Sequence, residues 1–163
     1  MENTNVKTRS LWQLALLDAV LLTTACLVPA ASHLTQVRLF LFNPMIALLL
    51  AGMLLGRDWR NALVLAVLMP AVSCLLVGMP TAAKAVCMAA QFVTIAGVFG
   101  WMQRKWNVLP AVLVALVAGT AVYYGAKVLL TGVLFSSDSL MLAAASLLWA
   151  LLFAMLYPLT NKR

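Results

Sequence analysis

The sequence predicts an all-α membrane protein, a compact bundle of about six transmembrane helices. Its 163 residues are 65% hydrophobic and 9% charged, with a mean hydropathy of +1.04. Because a soluble domain typically carries about 25% charged residues, the solvent of this chain must be the bilayer. The apolar runs are too long for barrel strands and do not alternate with polar residues, so the backbone amides must be hydrogen-bonded within helices. We therefore expect one integral membrane domain over 1–163.

Polar, glycine and proline residues divide the first half of the chain into three apolar segments. The first follows Lys7 and Arg9 and exceeds the roughly 7–15 apolar residues of a signal peptide, so we expect an uncleaved span. The second contains Asn43-Pro44 and the third is short, so either could be tilted, partly re-entrant or shielded by neighbouring helices. These spans are expected near 11–31, 39–55 and 61–77.

Three longer apolar segments follow the break at Gly78-Met79-Pro80. Polar loops at 103–107 and 135–139 separate them. Each segment reaches the roughly 20 residues that an α-helix needs to cross the hydrocarbon core. These spans are expected near 81–102, 108–134 and 140–159.

The distribution of positive charge predicts the sidedness of the bundle. With six spans, both termini lie on one side, and eight of the 11 Lys and Arg residues then share that side. By the positive-inside rule, this side is cytoplasmic. The net charge of +7 is then explained by topology and does not imply a nucleic-acid partner. The basic residues are Lys7, Arg9, Arg57, Arg60, Arg104, Lys105, Lys162 and Arg163, with Trp12, Trp59, Trp101 and Trp106 at the same boundary.

Three ionisable residues, Asp18, Lys84 and Lys127, lie inside long apolar runs. Such groups cost a few kcal/mol in hydrocarbon by insertion scales, so we expect them to have a function. The helical rise of about 1.5 Å per residue places both lysines near the outer face and Asp18 roughly 10 Å deep on the cytoplasmic side. Asp18 is therefore expected either to hydrogen-bond between helices or to face a partner subunit.

Two lysines at one depth without a matching carboxylate favour an anionic ligand, with Arg38 in the outer loop as a third contact. Alternatively, each lysine extends its ammonium group to the membrane interface while its stem stays buried. Helical spacing places Gln91 on the face of Lys84, and Tyr123 on the face of Lys127. We expect these residues to bind substrate.

Two further residues are candidate ligand contacts. Trp149 lies well inside the sixth span, where it either stacks on a bound ring or packs against its neighbours. Asn43 precedes a proline at the outer entrance of the second span, where it either caps the helix or contacts ligand.

The sequence contains no set of residues suited to catalysis. It has four acidic residues and one histidine, and its three cysteines lie in apolar stretches without metal-ligand spacing. No glycine loop for phosphate is present. We expect no enzymatic activity, no metal site and no cofactor in this chain.

Short segments in the middle third of the chain carry a family resemblance. They are Pro44-Met45, Ala51-Gly52-Met53-Leu54-Leu55-Gly56, Pro70-Ala71-Val72-Ser73, Leu76-Val77-Gly78-Met79-Pro80 and Met88-Ala89-Ala90-Gln91-Phe92. This pattern resembles the substrate-binding S component of energy-coupling-factor (ECF) transporters, the vitamin importers of prokaryotes. The likeness in length and in six-helix architecture extends over nearly the whole chain.

The resemblance implies a binding subunit of an ABC importer in the prokaryotic plasma (inner) membrane, which captures a small water-soluble vitamin or related nutrient at the outer face. In this family an Ala-x-x-x-Ala motif of the first helix contacts a transmembrane coupling subunit, and Ala15 and Ala19 match that spacing. Two partner ATPase subunits would hydrolyse the ATP. Related members often have Glu where this chain has Gln91, and Gly-Arg where it has Gly119-Thr120.

Two other classes of function remain as alternatives. A membrane scaffold would use small-residue faces, such as Gly52-x-x-x-Gly56, to organise an assembly without transporting a solute. An enzyme acting on lipids is disfavoured because the catalytic groups are missing, Asp18 being the last plausible acid or base.

Overall fold

The computed structural model describes residues 11–35, 43–56, 59–132 and 139–160. Within these ranges it has six α-helices and no strand, and five of the helices are long and apolar enough to cross a membrane. The all-α fold is confirmed, and the helices give the chain the character of a multi-pass membrane protein. They are α1 (Leu11–Thr35), α2 (Pro44–Gly56), α3 (Trp59–Val77), α4 (Ala82–Met102), α5 (Val108–Thr131) and α6 (Ser139–Thr160).

The second helix departs most from the expected spans. It begins at Pro44, because the fixed φ and missing N–H of proline suit the first turn of a helix. Asn43 precedes it with a left-handed φ of 49°, which asparagine tolerates better than most residues. The 13 residues of α2 rise about 20 Å, less than the roughly 30 Å of the hydrocarbon core. The proline thus starts this helix and does not interrupt it.

Helix α2 is the shared neighbour of most of the bundle. It contacts α1, α3, α4 and α6, and seven of its 13 residues are buried. The other contacts run from α1 to α3, then to α4, α5 and α6. The five long helices therefore form a row of neighbours, and α2 joins the two ends of that row.

Gly52 allows α2 to approach α1 and α3 closely, whereas Gly56 leaves room for an ordinary van der Waals contact. A Cβ atom added to Gly52 would lie 2.9 Å from Leu65 Cδ1 of α3 and 3.2 Å from Leu21 Cδ1 of α1. One added to Gly56 would lie 3.8 Å from Asn61 Nδ2 of α3. The close approach expected at Gly52-x-x-x-Gly56 is found within the bundle.

Small residues also bring α5 close to α4. Ala111, Ala115 and Gly119 recur at every fourth position of α5 and are buried on one face. A Cβ atom at Gly119 would lie 2.5 Å from Ile95 Cγ1 and 3.0 Å from the backbone oxygen of Gln91. This contact fixes the position of Gln91 against α5.

Replacing Gly119 by alanine is expected to destabilise the bundle by about 1–3 kcal/mol, because the added methyl group overpacks the contact with α4. The change should appear as a lower melting temperature in detergent. Gly125→Ala is the matched control on the same helix, since its Cβ would meet no heavy atom within 4 Å. That variant should be neutral or slightly stabilising. An unchanged melting temperature for Gly119→Ala would contradict the close packing of α4 on α5.

Candidate functional site

A cavity opens at one end of the bundle, where α1, α3 and α5 end and α2, α4 and α6 begin. Its volume is about 540 Å³, within the range of roughly 300–1,000 Å³ that is usual for small-molecule sites. Five helices and the loop between α3 and α4 contribute to its wall. We call this end of the molecule the cavity end.

Half of the lining residues are apolar and half are polar or tyrosine. The apolar half provides surface for a hydrophobic part of a solute, and the polar half offers a few hydrogen-bonding groups. The apolar residues are Val28, Pro29, Pro44, Met45, Met79, Pro80, Met88, Leu142 and Ala143. The others are Ser32, Asn43, Thr81, Lys84, Gln91, Thr120, Tyr123, Tyr124 and Ser146.

The cavity brings together four of the residues expected to bind substrate: Asn43, Lys84, Gln91 and Tyr123. Lys84 and Gln91 are two turns apart on α4, and Met88 lies between them on the same face. Lys84 is exposed at the start of the helix, whereas Gln91 is only 8% exposed. The side chains from α4 therefore reach two different depths in the cavity.

Two other expected site residues, Lys127 and Trp149, are not among the described residues that line the cavity. The Lys127 ammonium group lies 5.9 Å from the ring centroid of Tyr124, a distance at which cation–π attraction operates. Tyr124 lines the wall, so Lys127 lies behind it. Trp149 packs against the hydrophobic core, which corresponds to the packing alternative. Arg38 lies outside the described residues. One of the two expected lysines is thus in the cavity wall.

Asn43 and Ser146 connect the start of α2 to α6. The Asn43 amide donates a hydrogen bond to Ser146 Oγ at 2.8 Å, and Ser146 Oγ donates to the Leu142 carbonyl at 2.7 Å. The Asn43 backbone carbonyl accepts from the amides of Ile46 and Ala47 in the first turn of α2. Asn43 thus begins the helix with its backbone and lines the cavity with its side chain.

The loop between α3 and α4 is held by two hydrogen bonds. The Ser73 hydroxyl, fully buried on α3, donates to the Met79 carbonyl at 2.7 Å. Gly78 has a φ of +71°, and its amide donates to the Cys74 carbonyl at 3.0 Å, which ends α3. These contacts hold Met79 and Pro80 in the cavity wall.

Several polar side chains of the helices away from the cavity have hydrogen-bond partners. Asn61 Nδ2 donates to Asp18 Oδ1 at 2.8 Å, and the Tyr157 hydroxyl donates to Gln103 Oε1 at 2.7 Å. The hydroxyl of Thr94 donates to the carbonyl one turn earlier. Such pairing is expected, because an unsatisfied polar group in an apolar interior is costly.

The cavity wall differs in this respect. The side chains of six lining residues have no hydrogen-bond partner among the residues that the structure describes, and Ser32 Oγ has none although the atom itself is buried. Gln91 is the most buried of them and carries both a donor and an acceptor. This concentration of unpaired groups marks the cavity as the candidate site. The six are Ser32, Thr81, Lys84, Gln91, Thr120 and Tyr123.

Sequence reasoning missed several residues of the wall. Ser32, Ser146 and Tyr124 were not singled out, and Thr120 was noted only as a departure from the family pattern. Ser146 is a lone polar residue within the apolar sequence of α6, which is the one signal that could have identified it. Assigning Ser32, Thr120 and Tyr124 to the wall requires knowing which helices are neighbours, and the local sequence does not contain that information.

Asp18 joins two helices at the end opposite the cavity. Its hydrogen bond from Asn61 connects α1 to α3, which corresponds to the first of its two expected roles. On the same helix Ala15 and Ala19 are exposed, together with Leu16 and Val20. The small-residue face is thus directed away from the bundle.

Replacing Asp18 by leucine should lower the stability of the bundle by about 1–3 kcal/mol, because the Asn61 amide loses its acceptor. Asp18→Asn is the matched variant, since its carbonyl still accepts that hydrogen bond, and it should retain most of the melting temperature. Equal losses in the two variants would show that charge and not hydrogen bonding matters at this position.

Comparisons with protein-family models, curated proteins and solved structures give no match to this chain. The case for a function therefore rests on the cavity, on the chemistry of its wall and on the resemblance in sequence.

Proposed function

We propose that this chain is the substrate-binding subunit of an ECF-type importer. It captures a small water-soluble vitamin or related nutrient in the cavity, and partner subunits drive the uptake. The observation that carries the proposal is the Gln91 side chain, which lines a cavity of about 540 Å³ and has no hydrogen-bond partner in the described part of the chain.

The unpaired groups of the wall favour solute binding over a purely structural role. A solute with matching groups can bond to the amide that lines the cavity, whereas a solute that covers the amide without bonding to it loses about 1–3 kcal/mol. The apolar surface of Met45 and Met88 supplies contact area beside these groups. A scaffold would have no need of such a cavity.

Partner subunits would supply the energy for uptake. Ala15 and Ala19 present a small-residue surface on the exposed side of α1, which suits close approach by a helix of a coupling subunit. Two ATPase subunits would hydrolyse ATP, since this chain has no phosphate-binding loop. In the expected orientation, with cytoplasmic termini, the cavity opens to the outside of a prokaryotic plasma membrane.

Protein purified from its native membrane should carry one small molecule, detectable by native mass spectrometry. Gln91→Leu should weaken the binding of that molecule by at least about tenfold, which corresponds to roughly 1.4 kcal/mol. Gln103→Leu is the matched control, because Gln103 directly follows the same helix and its amide is bonded to Tyr157 at the opposite end. Absence of any bound molecule would favour the scaffold alternative.

Replacing Ala15 and Ala19 together by leucine should reduce uptake and the co-purification of the coupling and ATPase subunits, while solute binding stays intact. The larger side chains prevent close helix approach. Ala121→Leu is the control, since Ala121 is an exposed alanine on α5. Unchanged uptake in the double variant would exclude this face of α1 as the coupling surface.

A further inference from the structure

We infer that the cavity selects a solute with two different polar ends: an anionic group such as a carboxylate at Lys84, and a neutral hydrogen-bonding group such as an amide at Gln91. An apolar middle would join the two ends. This inference rests on the proposed function and specifies its substrate class.

The spacing on α4 sets the distance between the two ends. Lys84, Met88 and Gln91 follow one another at i, i+4 and i+7, so they share one face of the helix. At about 1.5 Å per residue, Lys84 and Gln91 are about 10 Å apart along the axis. Lys84 is exposed and Gln91 is 8% exposed, so one lies at the mouth and the other at the floor.

The mouth of the cavity favours an anion. Among the lining residues that the structure describes, Lys84 is the one cation and none is acidic. Among the described residues the one carboxylate is Asp18, which is bonded to Asn61 on α3 at the opposite end. The first turn of α4 adds the partial positive charge of a helix N-terminus, where Thr81 makes no side-chain cap. A cationic solute would meet repulsion at this position.

The floor of the cavity favours a neutral group. The Gln91 amide both donates and accepts, and no described residue bonds to it. Thr120 follows Gly119 on α5, and a Cβ added to Gly119 would lie 3.0 Å from the Gln91 backbone oxygen. The Thr120 hydroxyl therefore lies in the same region of the cavity wall as Gln91. A carboxylate at this depth would lose its hydration without meeting a cation, which is unfavourable. An amide, urea or hydroxyl group would be matched.

The side chain between the two polar positions is apolar. Met88 separates Lys84 from Gln91 on α4, and its flexible thioether adapts to a range of shapes. Tyr123 on α5 adds an aromatic ring to the wall. The middle of the solute is therefore expected to be a hydrocarbon chain or ring.

Three probes of equal length test this arrangement by isothermal titration in detergent. Suberamate has a carboxylate at one end and an amide at the other, octanoate has the carboxylate alone, and octanamide has the amide alone. Suberamate should bind at least about tenfold more tightly than either of the other two, because it satisfies both positions.

Variants assign each end of the probe to its residue. Lys84→Met should reduce the affinity for suberamate to about that for octanamide, and Lys105→Met, at the opposite end of the bundle, should leave it unchanged. Gln91→Leu should reduce the affinity for suberamate to that for octanoate. Retained binding of octanoate by Gln91→Leu shows that this variant is folded.

Three results would overturn the inference: equal binding of suberamate and octanoate by the unaltered protein, full affinity for suberamate in Lys84→Met, or no binding of any probe. A neutral or cationic molecule found in the native protein would also overturn it, while leaving the importer proposal standing. The importer proposal fails separately, if the native protein carries no molecule at all.

Discussion

The cost of an unpaired polar group away from water governs how this molecule is built. Within the bundle, the described chain connects Asp18 to Asn61 and Gln103 to Tyr157. At the cavity end the buried Ser32 Oγ has no partner among the described residues, and Gln91 lines the cavity without one. The difference between the two ends separates a structural half of the bundle from a half suited to binding.

The short second helix explains how a compact bundle contains space. Helix α2 contacts four others through a largely buried surface, with Gly52 allowing close approach to Leu21 and Leu65. Its rise of about 20 Å is less than that of the 21-residue α4, about 30 Å, so α2 does not fill the bundle over its full height. The residues that begin α2, Asn43 and Pro44, form part of the cavity wall.

Hydropathy was sufficient to predict the all-α fold, because a long apolar segment in a bilayer satisfies its backbone groups as a helix. It did not predict that Pro44 begins the second helix. Helical periodicity was sufficient to place Lys84 and Gln91 on one face. It could not place Lys127, because the direction of a flexible side chain depends on a neighbouring ring, here Tyr124. It also could not assign Ser32 to the cavity, since that depends on how distant helices pack.

The hydrogen bond from Ser73 to the Met79 carbonyl has a mechanical consequence. Because Ser73 is fully buried within α3, this bond couples the short connection at Met79 to a rigid helix. The connection is therefore poorly suited to act as a hinged gate. In the proposed importer, solute exchange would then depend on motion elsewhere in the cavity wall.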